Sequence, residues 1–488
     1  MSRDVTGFPT LLRRAVARHP DDIALVDGDR RITWQEYNDL VDRVSWNLRA
    51  AGVTPGDDVA LMGGNSIEFV TGLMGALACG AAVATLNPAT TEVEIPKFVS
   101  PEMTTFIAID DDMADRVAAA VDKASLSLLT MTDMAAGDGP VDDTVRAHPA
   151  DTAVYGYSSG STGKPKRVGR THANFMAEAV ASGRATGVSH DDVILAVAPI
   201  FHSHGLVNGL LSHLQGGARM VLIDGLQRGA ILTAVENEGI TIMPSVPFVY
   251  QALAENKRTR SLDWSSVRLP IVAGAALARE TYELFYEASG IRIRQLYGST
   301  EAGAISVNTD EDVDEAWESV GLPTGSVDVE IVDDDGRAVS IGEVGEIRVR
   351  GDSLTDGYED PELHAQSFVD GWFSTSDLGR FDEKGRITLT GRKTLYISTA
   401  GFKVDPFEVE QVITGHPDVS EVIVVGVKGP AGDQVVKAVV VAKSELDRKD
   451  VIEVCRGDLA EYKIPRVVEF RDEIPRSPIG KILRSELI

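Results

Sequence analysis

Two cysteines in 488 residues, Cys79 and Cys455, leave too little material for a disulfide framework or a zinc cluster. Their isolation predicts two small buried hydrophobes. Lysine is scarce as well. Of the 47 cationic residues 14 are lysine and 33 arginine, against 74 Asp and Glu, for a formal net charge of -27. That deficit argues against a sequence-independent nucleic-acid binder, which needs a basic face. Long hydrophobic runs are missing too. The most apolar stretch, residues 71–86, is rich in Gly and Ala, stops at Asn87-Pro88, and reads as a buried helix–turn–strand. The start, Met1-Ser2-Arg3-Asp4, lacks the apolar core of a signal peptide, so a soluble, cytoplasmic protein is expected. There is no internal repeat and no low-complexity tract. What the chain does have is 43% hydrophobic residues at a mean hydropathy of -0.03, ample for a large core. At roughly 100–200 residues per domain, its length predicts two to four structural units.

Short β-rich runs alternate with helix-forming sequence through the first 320 residues. Val59 to Met62, Ala82 to Leu86, Val193 to Ile200, Arg219 to Ile223, Thr241 to Met243 and Leu269 to Ala273 are the strands of this pattern. Such alternation predicts parallel sheets covered by helices, in one large multi-sheet α/β region. After about residue 320 the strands shorten and Asp-Gly and Gly-Glu turns join them, the mark of antiparallel hairpins. The last hundred residues change again. Val422 to Val427, Val435 to Val441 and Val467 to Phe470 read as strands and Lys449 to Glu461 as a helix, a small α+β unit.

Chemistry concentrates first in Tyr157-Ser158-Ser159-Gly160-Ser161-Thr162-Gly163-Lys164-Pro165-Lys166. Glycines and small hydroxylated residues let backbone N–H groups and hydroxyls converge on phosphate oxygens without obstruction. The segment is not a Walker P-loop. That motif needs Gly at the position of Ser158 and Ser or Thr at the position of Pro165.

The stretch closely resembles the phosphate loop of the adenylate-forming superfamily, the acyl- and aryl-CoA synthetases, adenylation domains and firefly-type luciferases. Further segments resemble that superfamily in the same order. They are Pro199-Ile200-Phe201-His202-Ser203-His204-Gly205, Gly274-Ala275-Ala276-Leu277 and Tyr297-Gly298-Ser299-Thr300-Glu301-Ala302-Gly303. Gly345 to Gly351 with Gly357-Tyr358, Ser376-Asp377-Leu378-Gly379, Gly391-Arg392, Gly401-Phe402-Lys403 and Pro475 to Lys481 follow. The likeness covers essentially the whole chain. It implies an N-terminal AMP-binding domain over 1–391 with a β-barrel-like subdomain, and a small mobile α+β domain over 392–488.

The implied reaction is attack of a carboxylate on the α-phosphorus of ATP, giving acyl-AMP and pyrophosphate, followed by acyl transfer to coenzyme A. Charge gathers on phosphoryl oxygens, so catalysis is positioning and electrostatic stabilisation. By resemblance, Ser158, Ser159, Gly160, Ser161, Thr162, Gly163 and Lys166 hold the β- and γ-phosphates. Tyr297 stacks on adenine, with Gly274, Ala275, Ala276, Gln295 and Gly298 completing the nucleotide contacts. Thr300 meets the α-phosphate, Glu301 ligates Mg²⁺, and Asp377 with Arg392 nearby takes the ribose hydroxyls. Lys481 reaches carboxylate and α-phosphate together, and Gly401 lets a pantetheine arm pass close to the backbone. His202 gates the acyl pocket, which His204 and Asn208 help to line.

An imidazole at 204 obstructs a long alkyl tunnel and predicts a short or polar-tailed acid. His-x-His-Gly resembles synthetases of small dicarboxylates, whereas Tyr-Ser-Ser-Gly-Ser-Thr-Gly resembles benzoate-type ligases, and both readings stand. Three departures touch the second half-reaction. The hinge position carries Thr394, its neighbours are Leu395 and Ser398, and Arg167 stands where the loop usually has Gly. They leave open a ligase that loads a free-standing acyl carrier protein, and a non-catalytic nucleotide- or acyl-binding sensor. The chain ends soon after Lys481, so a fused carrier domain is not expected.

Overall fold

A computed structural model of the chain describes residues 7–137, 148–158, 166–393, 397–399, 402–404, 406–428, 434–459, 461–476 and 482–488. The alternating apolar runs form two mainly parallel sheets. In the first, the strands follow the order Ser127–Thr130, Met103–Ala108, Asp58–Met62, Ala82–Leu86, Thr152–Ser158, Lys166–Thr171. All neighbours are parallel except the last pair. Asp58–Met62 and Ala82–Leu86 are buried at every position, which is why they read as continuous apolar runs. The helix between them, Ile67–Ala78, is capped by Ser66, whose hydroxyl accepts from Phe69 N–H. Its glycines are packing residues: a Cβ on Gly75 would lie 2.4 Å from Val44 Cγ1, on the neighbouring helix Trp34–Ala50. The apolar 71–86 stretch is thus core, and no helix among the described residues is long and apolar enough to cross a membrane.

The second sheet runs Arg30–Thr33, Ile23–Asp27, Arg219–Leu222, Val193–Ala196, Ile242–Ser245, Leu269–Val272, Arg294–Ser299, Gly303–Val307, Ser319–Pro323. It is parallel from Ile23–Asp27 to Arg294–Ser299 and antiparallel at both ends. The strand expected over 193–200 stops at Ala196. Beyond it, Asn65 takes over the backbone hydrogen bonds. Its side-chain amide donates to the carbonyls of Ala196, Ala198 and Ile223, and its carbonyl accepts from Ile200 N–H. A single buried amide therefore shapes the turn that leads to His202.

The chain divides into two units, Met1–Glu330 with Val349–Phe373 and Lys384–Ile387, and Ile331–Arg348 with Ser374–Glu383 and Thr388–Ile488. In the second unit residues 345–348, 374–381 and 388–392 belong to neighbouring strands, and Thr375 Oγ1 donates to the Ile347 carbonyl. Its last part is the expected α+β unit. Val419–Lys428 pairs antiparallel with Gln434–Ala442, which pairs parallel with Val467–Phe470. Helices Pro406–Thr414 and Arg448–Asp458 complete a core that includes Val409, Val424, Val440, Val451 and Cys455. The helix expected to reach Glu461 ends at Asp458, and Glu461–Lys463 forms a separate 3₁₀ turn. Both cysteines are free and buried, and burial pushes their thiols up to about 11. The chain is a mixed α/β protein with a large N-terminal and a small C-terminal domain.

Candidate active site

The phosphate-loop motif joins two antiparallel strands. Thr152–Ser158 pairs with Lys166–Thr171, with Ser158 opposite Lys166. Ser159, Gly160, Ser161, Thr162 and Gly163 lie outside the described residues, but the strands fix both ends of the loop. The hairpin of Arg294–Ser299 and Gly303–Val307 meets this place with Thr300 and Glu301 at its tip. A Cβ on Gly156 would lie 2.7 Å from Thr300 Cγ2, so only glycine lets the strand and the threonine approach. Within the hairpin, a Cβ on Gly298 would lie 2.3 Å from the Gly303 carbonyl oxygen.

Glu301 is 7% exposed. Its Oε1 accepts from Tyr358 OH at 2.7 Å, and its carbonyl accepts from Thr355 N–H at 2.8 Å. Lys166 Nζ stands 5.2 Å from the centre of the Tyr358 ring, a cation–π arrangement. Tyr358 thereby links the lysine at the end of the loop to the acid on the hairpin. Its place beside the glycine of Gly357-Tyr358 was visible in the sequence, its partners were not.

Beneath this layer lies a buried ion pair that the sequence did not announce. Arg170 (2% exposed) and Glu178 (0%) pair at 2.7 Å. Arg170 also donates twice to the Ser353 carbonyl, while Glu178 accepts from Ala304 N–H. Ser353 Oγ donates to the Ala302 carbonyl, and Asn174 donates to the carbonyls of Asp352 and Leu354. Helix His172–Thr186 thus holds both the segment after Glu301 and the segment before Tyr358. Gly303 has φ +74, and a Cβ there would lie 2.2 Å from a Glu178 carboxylate oxygen. The available signal was a Glu inside the apolar face of Phe175, Met176 and Ala179.

The contacts of Arg167 among the described residues lie on the first sheet and beyond Tyr358. Its guanidinium pairs with Asp58 and with Glu359 (2.8 Å) and lies 3.4 Å over the centre of the Tyr155 ring. The departure from glycine is a cross-link that ties the residue after Tyr358 to the first sheet.

In the His-x-His segment, His202 precedes the short turn Ser203–Gly205, which lies against Ile242–Ser245 and Gly303–Val307. The Phe201 and His202 rings are 4.8 Å apart. His204 Nε2 is 3.0 Å from the Ser245 carbonyl and its Nδ1 is 3.1 Å from Asn208 Nδ2. A carbonyl only accepts and an amide nitrogen only donates. The ring therefore carries its hydrogen on Nε2 and is neutral. Burial agrees, pulling its pKa down to about 4. Asn208 sits in a π-helical turn, Leu206–Leu211.

Tyr297 is buried in its strand opposite Ser306, and the Gln295 amide donates to the Trp317 carbonyl at 2.5 Å. Gly274 (φ +84), Ala275 and Ala276 form an exposed loop after Leu269–Val272, the strand next to that of Tyr297. In the second unit Asp377 and Arg392 are paired, Oδ1 to Nε at 2.9 Å. Asp377 lies in strand Trp372–Phe381, after Ser376 at φ +61, a conformation costly for a residue with a side chain. Gly401 and Lys481 lie outside the described residues.

Comparison with known proteins places this geometry. Residues 12–359 match the AMP-binding enzyme family and residues 408–481 the AMP-binding enzyme C-terminal domain. A feruloyl-CoA synthase of Amycolatopsis sp is 34% identical over 481 residues, 97% of each chain. The crystal structure of ATP-bound MatB from Rhodopseudomonas palustris superposes with a TM-score of 0.90 at 28% identity, over 99% of this chain and 98% of that one. The anthranilate CoA ligase AuaEII in complex with anthranoyl-AMP gives 0.87 at 25% identity, over 99% and 96%. The chain belongs to the AMP-binding enzyme family. Within it, the protein is an AMP-forming carboxylate–CoA ligase.

Proposed function

We propose that this ligase activates a compact acid with an uncharged, aromatic tail, as acyl-AMP and then as its CoA thioester. The observation that carries the choice is the state of His204. A neutral ring with Nε2–H spent on Ser245 and Nδ1 on Asn208 presents neither a positive charge nor a spare donor. His204 would therefore offer a second carboxylate neither a counter-charge nor a free N–H, and an unpaired buried carboxylate costs several kcal/mol. The named acids of two similar proteins, feruloyl-CoA synthase and the anthranilate ligase, are aromatic, which supports the same side.

In the first step the carboxylate oxygen bonds to the α-phosphorus and the bond from phosphorus to the bridging oxygen of pyrophosphate breaks. Ser158 to Gly163 and Lys166 hold the departing phosphates, and Thr300 donates to the α-phosphate. Tyr297, Gln295, Gly298 and the 274–276 loop bound the adenine, and the Asp377–Arg392 pair takes the ribose. Lys481 offsets charge where carboxylate and phosphate meet. The oxygen donors at Glu301 suit Mg²⁺, a hard cation that neutralises phosphate charge when bound. In the second step the CoA sulfur attacks the acyl carbon, the thiol proton is lost, and AMP leaves. His202 gates the acyl pocket, Gly401 lines the thiol's path, and the domain from residue 392 rotates between the steps.

The experiment is carboxylate-dependent ATP–pyrophosphate exchange over aryl, short aliphatic and dicarboxylic acids, with product mass spectrometry in the presence of CoA or of a free carrier protein. Exchange with aryl acids and a CoA thioester support the reading. A thioester on the carrier alone assigns the other acceptor, and binding of ATP without exchange assigns a sensor.

A further inference from the structure

Far from these residues in sequence, His19 and Asp22 occupy the turn between helix Phe8–Arg18 and strand Ile23–Asp27. His190 occupies the turn between helix His172–Thr186 and strand Val193–Ala196. The fold brings the three together. Asp22 Oδ2 is 3.4 Å from His19 Nδ1 and 3.2 Å from His190 Nε2. One ligand atom from each residue falls within 4.8 Å of the other two. The two imidazoles are parallel, with centres 3.6 Å apart.

Hydrogen bonding decides what this cluster needs. His190 Nδ1 is 2.9 Å from the Gly217 carbonyl, which only accepts, so Nδ1 carries the hydrogen. In the neutral ring Nε2 is then a lone pair, and it faces a carboxylate oxygen, also an acceptor. A cation must satisfy that contact. A proton on His190 Nε2 satisfies it as an ion pair, with neutral His19 donating from Nδ1, and a metal ion satisfies it equally. One metal ion serves both nitrogens and the carboxylate. The Nδ1–H to backbone carbonyl bond is also how metal-ligating histidines are oriented. Ligand atoms about 2.0–2.1 Å from a tetrahedral ion are roughly 3.3 Å from one another, and the two measured edges bracket that value.

We propose that His19, Asp22 and His190 form a site for a divalent transition-metal ion of the zinc type. Two imidazole nitrogens favour Zn²⁺, Co²⁺, Ni²⁺ and Cu²⁺ over Mg²⁺ and Ca²⁺, which take oxygen ligands. Water or an anion fills the fourth position, and Arg14 and Arg18, which line a cleft of about 320 Å³ together with both histidines, favour an anion. Binding swings the rings out of the parallel stack so that their lone pairs converge. With His19 31% and His190 38% exposed, both side chains have room to do so. The ion pins the turn after the first helix to the turn before Val193–Ala196, and so stabilises the folded chain.

The test uses the full chain without an affinity tag, stripped of metal. We expect one equivalent of Zn²⁺ to bind in competition with a chromogenic chelator and to raise Tm by about 2–5 °C. Co²⁺ should show the d–d absorption of a four- or five-coordinate ion, and excess Mg²⁺ should displace neither. His19→Ala and His190→Ala, with unchanged circular dichroism, should each lower the Zn²⁺ affinity at least 10-fold and abolish the Tm shift. A wild-type chain that takes up no Zn²⁺ holds only an Asp22–His190 ion pair and overturns the proposal. Uptake that survives in His190→Ala reflects the acidic surface and overturns it equally.

Discussion

At the scale of single residues Tyr358 joins two motifs, because its hydroxyl donates to Glu301 while its ring lies under the Lys166 ammonium. Tyr358→Phe removes the first contact and keeps the second. A hydrogen bond to a charged group contributes about 1.5–3 kcal/mol to stability, so the unfolding free energy should fall by up to that amount, and kcat/KM for ATP should fall roughly 10-fold or more as Glu301 loses the group that orients it. Steady-state pyrophosphate release with denaturation of the same samples reads both. Thr300, Glu301 and Lys166 were singled out in the sequence by the motifs they sit in, and the structure brings them together around Gly156 and Tyr358. Arg170, Glu178 and Asn65 were not legible there. Their side chains act through backbone carbonyls and amides brought near by the fold, and nothing local in the sequence marks which carbonyl a buried Arg or Asn meets.

Elements are joined at the site by helix His172–Thr186, whose Glu178 and partner Arg170 reach the strand after Glu301 and the segment before Tyr358. Arg170→Met leaves Glu178 buried without its cation. Removing one partner of such a pair costs about 3–5 kcal/mol, so chemical denaturation should show a loss of that size. A loss below about 1 kcal/mol would contradict the role given to the pair. Strand positions were read well where burial on both faces makes a continuous apolar run, as in Asp58–Met62 and Ala82–Leu86. The end of Val193–Ala196 was misread because Val197, Ala198 and Ile200 stay apolar after the ladder ends, and the amide that ends it comes from Asn65. Trp372–Phe381 hid from a periodicity reading because Ser376 takes a left-handed backbone in mid-strand.

For the whole molecule, the net charge of -27 stands against ATP, pyrophosphate and CoA, which are all polyanions. Screening over about 8–10 Å at physiological salt confines recognition to the local donors, so the bulk acidity describes the surface rather than the ligand. Stability has a separate pH dependence. His213 is fully buried, stacks on Trp34, and burial pulls its pKa from 6.5 down to about 3. Below pH 6.5 the unfolded chain takes a proton there that the folded chain refuses, so this term weakens the fold as pH falls. His213→Phe lacks that term. The stability gap between wild type and variant should therefore narrow by up to about 1.4 kcal/mol per pH unit from pH 6 to pH 4.5 in urea titrations. A constant gap would contradict a neutral buried imidazole.

The central claim, a CoA ligase for acids with an uncharged aromatic tail, belongs to the molecule as a whole and meets its most direct test in a substrate comparison. Carboxylate-dependent ATP–pyrophosphate exchange is measured at equal concentrations of hydroxycinnamic, benzoic, butyric and malonic acids, and the products with CoA are weighed. The account predicts the highest kcat/KM for an aryl acid, at least 10-fold above malonic acid, and the matching aryl-CoA mass. Fastest exchange with the dicarboxylic acid, or acyl-AMP that never becomes a CoA thioester, would contradict it.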